Sequence, residues 1–501
     1  MAAPSASAPA QAQPNQPPKP AAIRASATPP ATLSMEDAAR YAAIFELQQE
    51  ENWKAADAEI AGLGDQTLMG TVLAQRYLSP HYQASFEQAR DWLARYADLP
   101  DARAVWQIAQ RKSVGKPVPQ PSVTDPSKAA ATMVAISLPP EPSQLNLRRP
   151  ALMEAGLAAW DGRRWAEAAK DFEAAATAGG TSSWYVAASA YWAARAHLAL
   201  RQPEDVDHWF ELAARQPRTF YGLLARDTLG LEGDASLGPR SLSQQQIADL
   251  EALPAGRRAL ALVQVGATDR AEAELRGLSV GGNSRLADAV VALADLANMP
   301  ALCLALGYKT DNAGARYPVP RWEPQNGYVV DRALMFALMM EESRFNANIR
   351  SGSGAAGLMQ LMPATARAVA HSAGIPLHSV ADLVDPALNL SIGQEYVREL
   401  IGHEQVNGNL ILLLAAYNSG PGVLAKWQSQ VNRTDPLLFI ETLGNQEQRL
   451  YVQRVLTNLW IYRQRLGQSQ PDLDALAANQ WPTYVSVDKA THGVIQNASA
   501  R

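Results

Sequence analysis

Residues 331–369 read DRALMFALMMEESRFNANIRSGSGAAGLMQLMPATARAV, and the rest of the chain is organised around this stretch. Leu334, Ala337, Leu338 and Met340 recur at helical spacing behind Asp331, a suitable N-cap, so the segment reads as a buried amphipathic helix. Its end is expected near Phe345. Ser343, Asn346, Asn348 and then Ser351-Gly352-Ser353-Gly354 cannot sustain a helix cheaply, because short polar side chains compete for backbone groups and glycine is entropically costly to order. Glu342 then falls in the last turn, at the negative end of the helix macrodipole, where a carboxyl holds its proton more tightly. Met339, Met340, Leu358, Met359, Leu361 and Met362 lie close in sequence, so the same carboxyl is expected to face a poorly solvated cleft. Both effects raise its pKa, as a general acid needs near neutral pH. On position alone, the solvated edge of a surface helix accounts for Glu341 and Glu342 equally well.

The 501 residues suffice for several domains, and 47% hydrophobic residues can bury sizeable cores. Lys and Arg number 44 against 49 Asp and Glu, a formal charge of −5, with no dense basic run to track a phosphate backbone. Nucleic acid is not expected as a partner. Cys303 is the only cysteine and sits in the apolar run ALCLAL, where it reads as a small buried hydrophobe rather than a nucleophile. Seven scattered histidines form neither HExxH nor a Cys/His cluster, so no metal and no cofactor are expected. No apolar run reaches the length of a membrane span. Met1 leads into an Ala/Pro-rich segment without a charged start or an apolar h-region.

Residues 1–34 are mostly Ala, Pro, Ser and Gln, too poor in large apolar side chains to offset the entropy of folding, and are expected to be disordered. Residues 35–112 turn helical, with turns at Gly64-Asp65 and Ser79-Pro80. A Pro-rich linker or strap is expected over 113–150. Residues 151–306 return to helix pairs in which small residues (Ala168, Ala169, Ala193) alternate with Trp165, Phe172, Tyr191 and Trp192, in the style of tetratricopeptide units but without a strict period. A connection over 307–327, a helical domain over 328–466 and a C-terminal tail over 467–501 complete the expected organisation. The predicted fold class is all-α, with a superhelical solenoid that offers scaffold or binding surface ahead of a domain that carries the chemistry.

Three stretches of that domain add up to a site. Glu342 with Ser343 and Ser351 is the first. Gly357-Leu358-Met359-Gln360-Leu361-Met362 is the second, where glycine allows close backbone approach and Gln360 offers an amide to a sugar hydroxyl or acetamido group. The third is AAYNSGPG, 415–422, whose Tyr417 can pack on a sugar face and hydrogen-bond through its hydroxyl.

EESRFNANIRSGSGAAGLMQLMPATA, 341–366, closely resembles the catalytic stretch of the soluble lytic transglycosylases, whose domain is similar to goose-type lysozyme and which cut the glycan strands of bacterial peptidoglycan. The family pattern is E-S, a turn, then G-L-M-Q-[LI]-M-P-x-T-A. RTFYGLLARDTLG, 218–230, resembles a segment that often precedes this domain. The resemblance implies that Glu342 is the catalytic acid, that Ser351, Gln360, Met362, Tyr417, Asn418, Glu447 and Tyr451 bind substrate, and that Glu341 stands where the family commonly has Gln. Near the end of the domain the family has E-T-R-x-Y-V, whereas this chain has Glu447-Gln448-Arg449-Leu450-Tyr451-Val452; Leu443-Gly444-Asn445 departs from the family as well.

The implied reaction is non-hydrolytic cleavage of the β-1,4 bond between N-acetylmuramic acid and N-acetylglucosamine, with 1,6-anhydromuramoyl ends. Peptidoglycan strands would be the partner, with cell-wall proteins as further candidates through the solenoid, and the periplasm the location. A cell-wall substrate would make the sequence a processed form or one exported by other means. Two alternatives remain at this level: a goose-type muramidase that recruits Asp382, Asp385 or Glu447 for water, and a weakly catalytic wall-binding scaffold.

Overall fold

The computed structural model describes residues 29–113, 118, 148–231, 233–238, 241–278, 280, 283–310, 312–424, 427 and 434–488. Among these the chain is helical throughout, and the only β contacts are the isolated bridges 350–356, 356–361 and 409–483. Helices begin where short polar residues stand ready to cap them. Ser34 accepts from Asp37 N–H, and Ser85 with Gln88 and Ser243 with Gln246 form capping boxes.

Three cores hold the molecule together. The first is local to the helices between Met69 and Lys112, with Trp92 fully buried and its indole N–H on Gly70 O. A second joins Tyr41, Ile44 and Phe45 to the helices from 254 to 309. Cys303 is buried there, as a small hydrophobe should be. The third is continuous from the helices at 151–228 into those at 332–477, so this part of the solenoid and the C-terminal domain share one interior. Phe220 stacks on Trp460 at 5.2 Å. Glu441, almost fully buried, takes Arg149 at 2.5 Å, Tyr221 Oη at 2.7 Å and Gln453 Nε2 at 2.7 Å. Arg195 lies between the rings of Trp160 and Trp192 and pairs with Asp435 at 3.0 Å. The alternation of small and aromatic residues in this wall behaves as its sequence requires: Ala168 and Ala193 are fully buried beside Phe172 and Trp192.

Two expected boundaries shift. Leu33 is buried and Thr32 and Leu33 donate their N–H groups to Gln264 Oε1, so the last residues of the expected disordered segment are pinned; 1–28 lie outside the described residues, as does most of the expected linker. The tail after Gln468 is packed as far as Asp488: a short helix Pro471–Ala477 places Asp472 on Trp460 and Arg463, and Asp488 pairs with Arg332 at 2.8 Å. The polar contacts leave no trace in periodicity, and only Leu473 and Leu476 of this short helix enter the core. No helix among the described residues is long and apolar enough to cross a membrane.

Candidate active site

The helix Arg332–Glu342 is buried on every side from Ala333 to Met340, as an interior helix must be. Its N-terminus is not held by a side-chain cap. Asp331, fully buried, instead pairs with Arg463 at 3.0 Å, and Arg463 also meets Asp472. Burial raises the Asp331 pKa against the pull of Arg463. The helix stops at Glu342, three residues before the expected end, because Arg344 and Phe345 turn into left-handed backbone (φ 52° and 63°). Ser343 makes this turn possible: its hydroxyl donates to Met339 O and accepts from Phe345 N–H.

Glu342 is therefore the last helical residue. Burial raises its pKa to about 8, with a smaller upward push from the charge of Glu341, and the hydrogen bond from Tyr451 Oη to Oε1 (2.6 Å) works the other way. The Tyr451 phenol is itself held well above its ordinary pKa by burial, so it stays a donor. Neighbouring Glu341 has a different fate: it pairs with Arg454 at 2.5 Å on the long helix Gln446–Arg465 that also carries Tyr451. One of two adjacent carboxyls is neutralised by a cation and the other by a proton.

The turn that follows is pressed into shape. Gly357 has φ +77°, and a Cβ there would stand 2.1 Å from Asn389 Nδ2 and from Leu383 O. Asn389, without exposed surface, accepts from Met359 N–H (2.8 Å) and donates to Ala356 O and Leu383 O. Tyr417 Oη donates to Met359 O at 2.8 Å, and its ring packs against Tyr396 at 5.4 Å. The Glu342 charge reaches Tyr417 and adds to the effect of burial in raising its pKa.

The residues expected at the site divide accordingly. Tyr451 touches the acid, and Tyr417 is electrostatically coupled to it. The Tyr417 hydroxyl is spent on the loop. Gln360 (φ 44°) donates its amide to Gly357 O and Ile349 O, within its own turn. Ser351 likewise accepts from Ala355 N–H and meets Ser353. Met362 opens the helix Pro363–Ala373 with 43% of its surface exposed. Asn418 and Glu447 are exposed, Asn418 accepting from Ser419 Oγ. Gln448, where the sequence departs from the family pattern, donates to Ser419 Oγ at 2.8 Å and ties the two stretches together. Asp382 and Asp385 cap the turns at Ser379 and Leu388. Asn389 and Arg454 were not singled out by sequence; the one available signal was an asparagine inside an otherwise apolar run, LNLSI, where a polar side chain needs buried partners. No cluster of His, Cys, Asp or Glu among the described residues is arranged to hold a metal ion.

Residues 322–440 match the family model described as Transglycosylase SLT domain. The soluble lytic murein transglycosylase of Escherichia coli (strain K12) is 34% identical over 158 residues, 31% of this chain but only 24% of that protein. The crystal structure of the 70 kDa soluble lytic transglycosylase from Escherichia coli superposes with a TM-score of 0.59 over 90% of this chain and 99% of the other, at 18% identity. An inactive mutant of the lytic transglycosylase Slt from Pseudomonas aeruginosa gives 0.52 over 84% and 66%, at 23% identity. The two structures share the fold of superhelix and lysozyme-like domain, and the sequence match falls on the segment that carries Glu342. Residues 322–440 are thus similar in sequence to the Transglycosylase SLT domain, the whole chain is similar in fold to the soluble lytic transglycosylases, and the sequence match spans only about a quarter of the length of the curated relative.

Proposed function

We propose that the protein is a peptidoglycan lytic transglycosylase that acts in the periplasm and cleaves the β-1,4 bond between N-acetylmuramic acid and N-acetylglucosamine. The observation that carries the reading is Glu342: a carboxyl still protonated near neutral pH, hydrogen-bonded through one oxygen by Tyr451. With Oε1 occupied as an acceptor, the acid proton belongs on Oε2.

In the first step Glu342 gives that proton to the glycosidic oxygen as the bond from muramoyl C1 breaks, and the departing glucosamine leaves with a free 4-hydroxyl. The Tyr451 hydrogen bond, which favours the ionised form, supports the carboxylate as it appears. The acetamido oxygen of the muramoyl residue covers C1 from the opposite face, as in substrate-assisted glycosidases. In the second step Glu342 removes the proton of the muramoyl C6 hydroxyl while that oxygen closes on C1. The acid is restored, no water is consumed, and the ring closes with the advantage of an intramolecular attack.

A hydrolytic outcome needs a second carboxylate to activate water, and Glu341, Asp382 and Asp385 are otherwise engaged. Glu341 is paired with Arg454, Asp382 and Asp385 are caps, and Glu447 is exposed on the first turn of its helix. Mass spectrometry of products from purified glycan strands tests the proposal. The expected ends are 1,6-anhydromuramoyl, lighter by one water than lysozyme products. Reducing ends that take up oxygen from labelled water would overturn it.

A further inference from the structure

The helix Thr268–Arg276 borders a cavity on either side of its Asp269–Ala273 ridge. The one toward the turn Phe345–Asn348 is shared with the C-terminal domain. The other, of about 150 Å³, lies within the superhelical part alone, between this helix and Thr71, Pro100 and Asp101. We propose that this second cavity is a binding site for a small zwitterion, a free α-amino acid with a short side chain, whose ammonium group meets Asp101 and whose carboxylate meets Arg270. No residue of the C-terminal domain lines it, so the site is independent of the glycan-cleaving reading.

Three polar groups of the lining lack the partners that burial demands. Thr71 is 4% exposed, and its hydroxyl makes no hydrogen bond. Asp101 stands at the N-cap of the helix Ala102–Lys112 without capping it, and burial raises its pKa. Arg270 rests on the ring of Phe45 at 5.3 Å, and burial lowers its pKa. Each of the two charges eases the burial of the other, yet they form no ion pair among the described residues. Opposite charges that are withdrawn from water and held apart across a cavity suit a ligand that carries both. Glu274 also faces the cavity but is committed, since both its oxygens accept from Arg258, which reaches Asp98 as well. A simple cation would meet the charge of Arg270, and a simple anion those of Asp101 and, at the exposed rim, Asp269. A zwitterion matches both ends, and a further ammonium N–H can go to Thr71 Oγ1. Leu262, fully buried, and Ala273 offer apolar walls to a short alkyl group. The volume lies well below the roughly 300 Å³ at which sites for drug-sized ligands begin, which leaves no room for a disaccharide or a peptide.

Calorimetry on the full chain, with alanine as the probe, tests the site. Alanine and glycine are expected to bind saturably. N-Acetylalanine lacks the ammonium charge and alanine amide lacks the carboxylate, and each should bind at least about tenfold more weakly, the value of one charge-assisted hydrogen bond. Asp101→Asn should weaken alanine by a similar factor, and Thr71→Val by less. Arg270→Gln should weaken alanine and also erase its advantage over alanine amide, which a general loosening of the helices would not do. Alanine should raise the thermal midpoint of the wild type and leave that of Asp101→Asn nearly unchanged. Absence of saturable binding by the wild type, with the cavity taking up water only, overturns the proposal, and so does equal binding of alanine and its two singly charged analogues. The analogues are compared on the wild type, so a variant that fails to fold does not leave the question open. Whether the chain cuts glycan strands has no bearing on either outcome.

Discussion

The two walls of the solenoid that face the C-terminal domain meet it in opposite ways. Helices at 151–228 fuse with it through Phe220 on Trp460, Arg149 and Tyr221 on Glu441, and Arg195 on Asp435, all largely removed from water. The helix Thr268–Arg276 faces it across a cavity, while the helix Pro300–Lys309 sends only Leu304 into the shared core, and Arg321 N–H bonds Asn298 Oδ1 on the connecting segment. One wall is part of the fold of the domain, and the other meets it only in part.

That contrast can be broken or sharpened by substitution. The largest effect is expected from Glu342→Gln, which should lower cleavage by at least about 10³-fold, toward the upper end of what a general acid contributes, while leaving both walls intact. A variant with appreciable residual turnover would move the chemistry elsewhere. The same change has a signed effect on stability. The folded pKa is raised, so as pH climbs from the ordinary Glu value to about 8 the unfolded chain releases a proton that the folded chain retains, and the folded state loses stability over that window. Glu342→Gln removes the loss, so its thermal advantage over wild type should grow between those limits and then level off.

Next in size is the fused wall. Phe220→Ala should cost about 3–5 kcal/mol, and Glu441→Ala, which strands Arg149 and Arg449 in the interior, a similar amount. Denaturation followed by a probe in each half should show them weakening together; a loss confined to 151–228 would mean that the shared core is not cooperative. By comparison Asp269→Asn, on the open wall, should alter stability by less than about 0.5 kcal/mol.

The smallest effects concern the pH profile. Cleavage should fall as pH rises through about 8. Glu341→Gln removes a charge that raises the Glu342 pKa, so the alkaline limb should move to lower pH with little loss of rate. Tyr451→Phe removes a bond that lowers it and should move the limb the other way, with a clear loss of rate. Shifts in the same direction in both variants would refute this account of the acid.

Much of this was legible in the chain. Glu342 could be located because helical spacing and the polar turn after it are local features, and the all-helical architecture followed from the same periodicity. The raised pKa was expected from the helix end and the Met/Leu surroundings, and burial is its leading cause. What could not be read was the pairing of groups far apart: Arg149 with Glu441 spans 292 residues, and Arg463 with Asp331 spans 132. The helix end was misplaced because Arg344 and Phe345 are not residues that announce left-handed backbone. Gln360 was expected as a substrate contact because its amide looks available in sequence, and only the folded turn reveals that its N–H groups donate to Gly357 O and Ile349 O.

The helix Gln446–Arg465 has a practical consequence for protein engineering. Along one rod it carries Tyr451 at the acid, Arg454 on Glu341, Trp460 against Phe220 and Arg463 beneath the start of the acid helix. A cut near Asn326 would therefore yield a cassette whose long helix has lost Phe220 from Trp460 and Trp184 from Gln453. The span from about Arg148 to Asp488 keeps those contacts, but its helices from 254 to 309 share a core with Tyr41, Ile44 and Phe45, so helices exchanged ahead of Arg148 must refill that core for the catalytic register to survive.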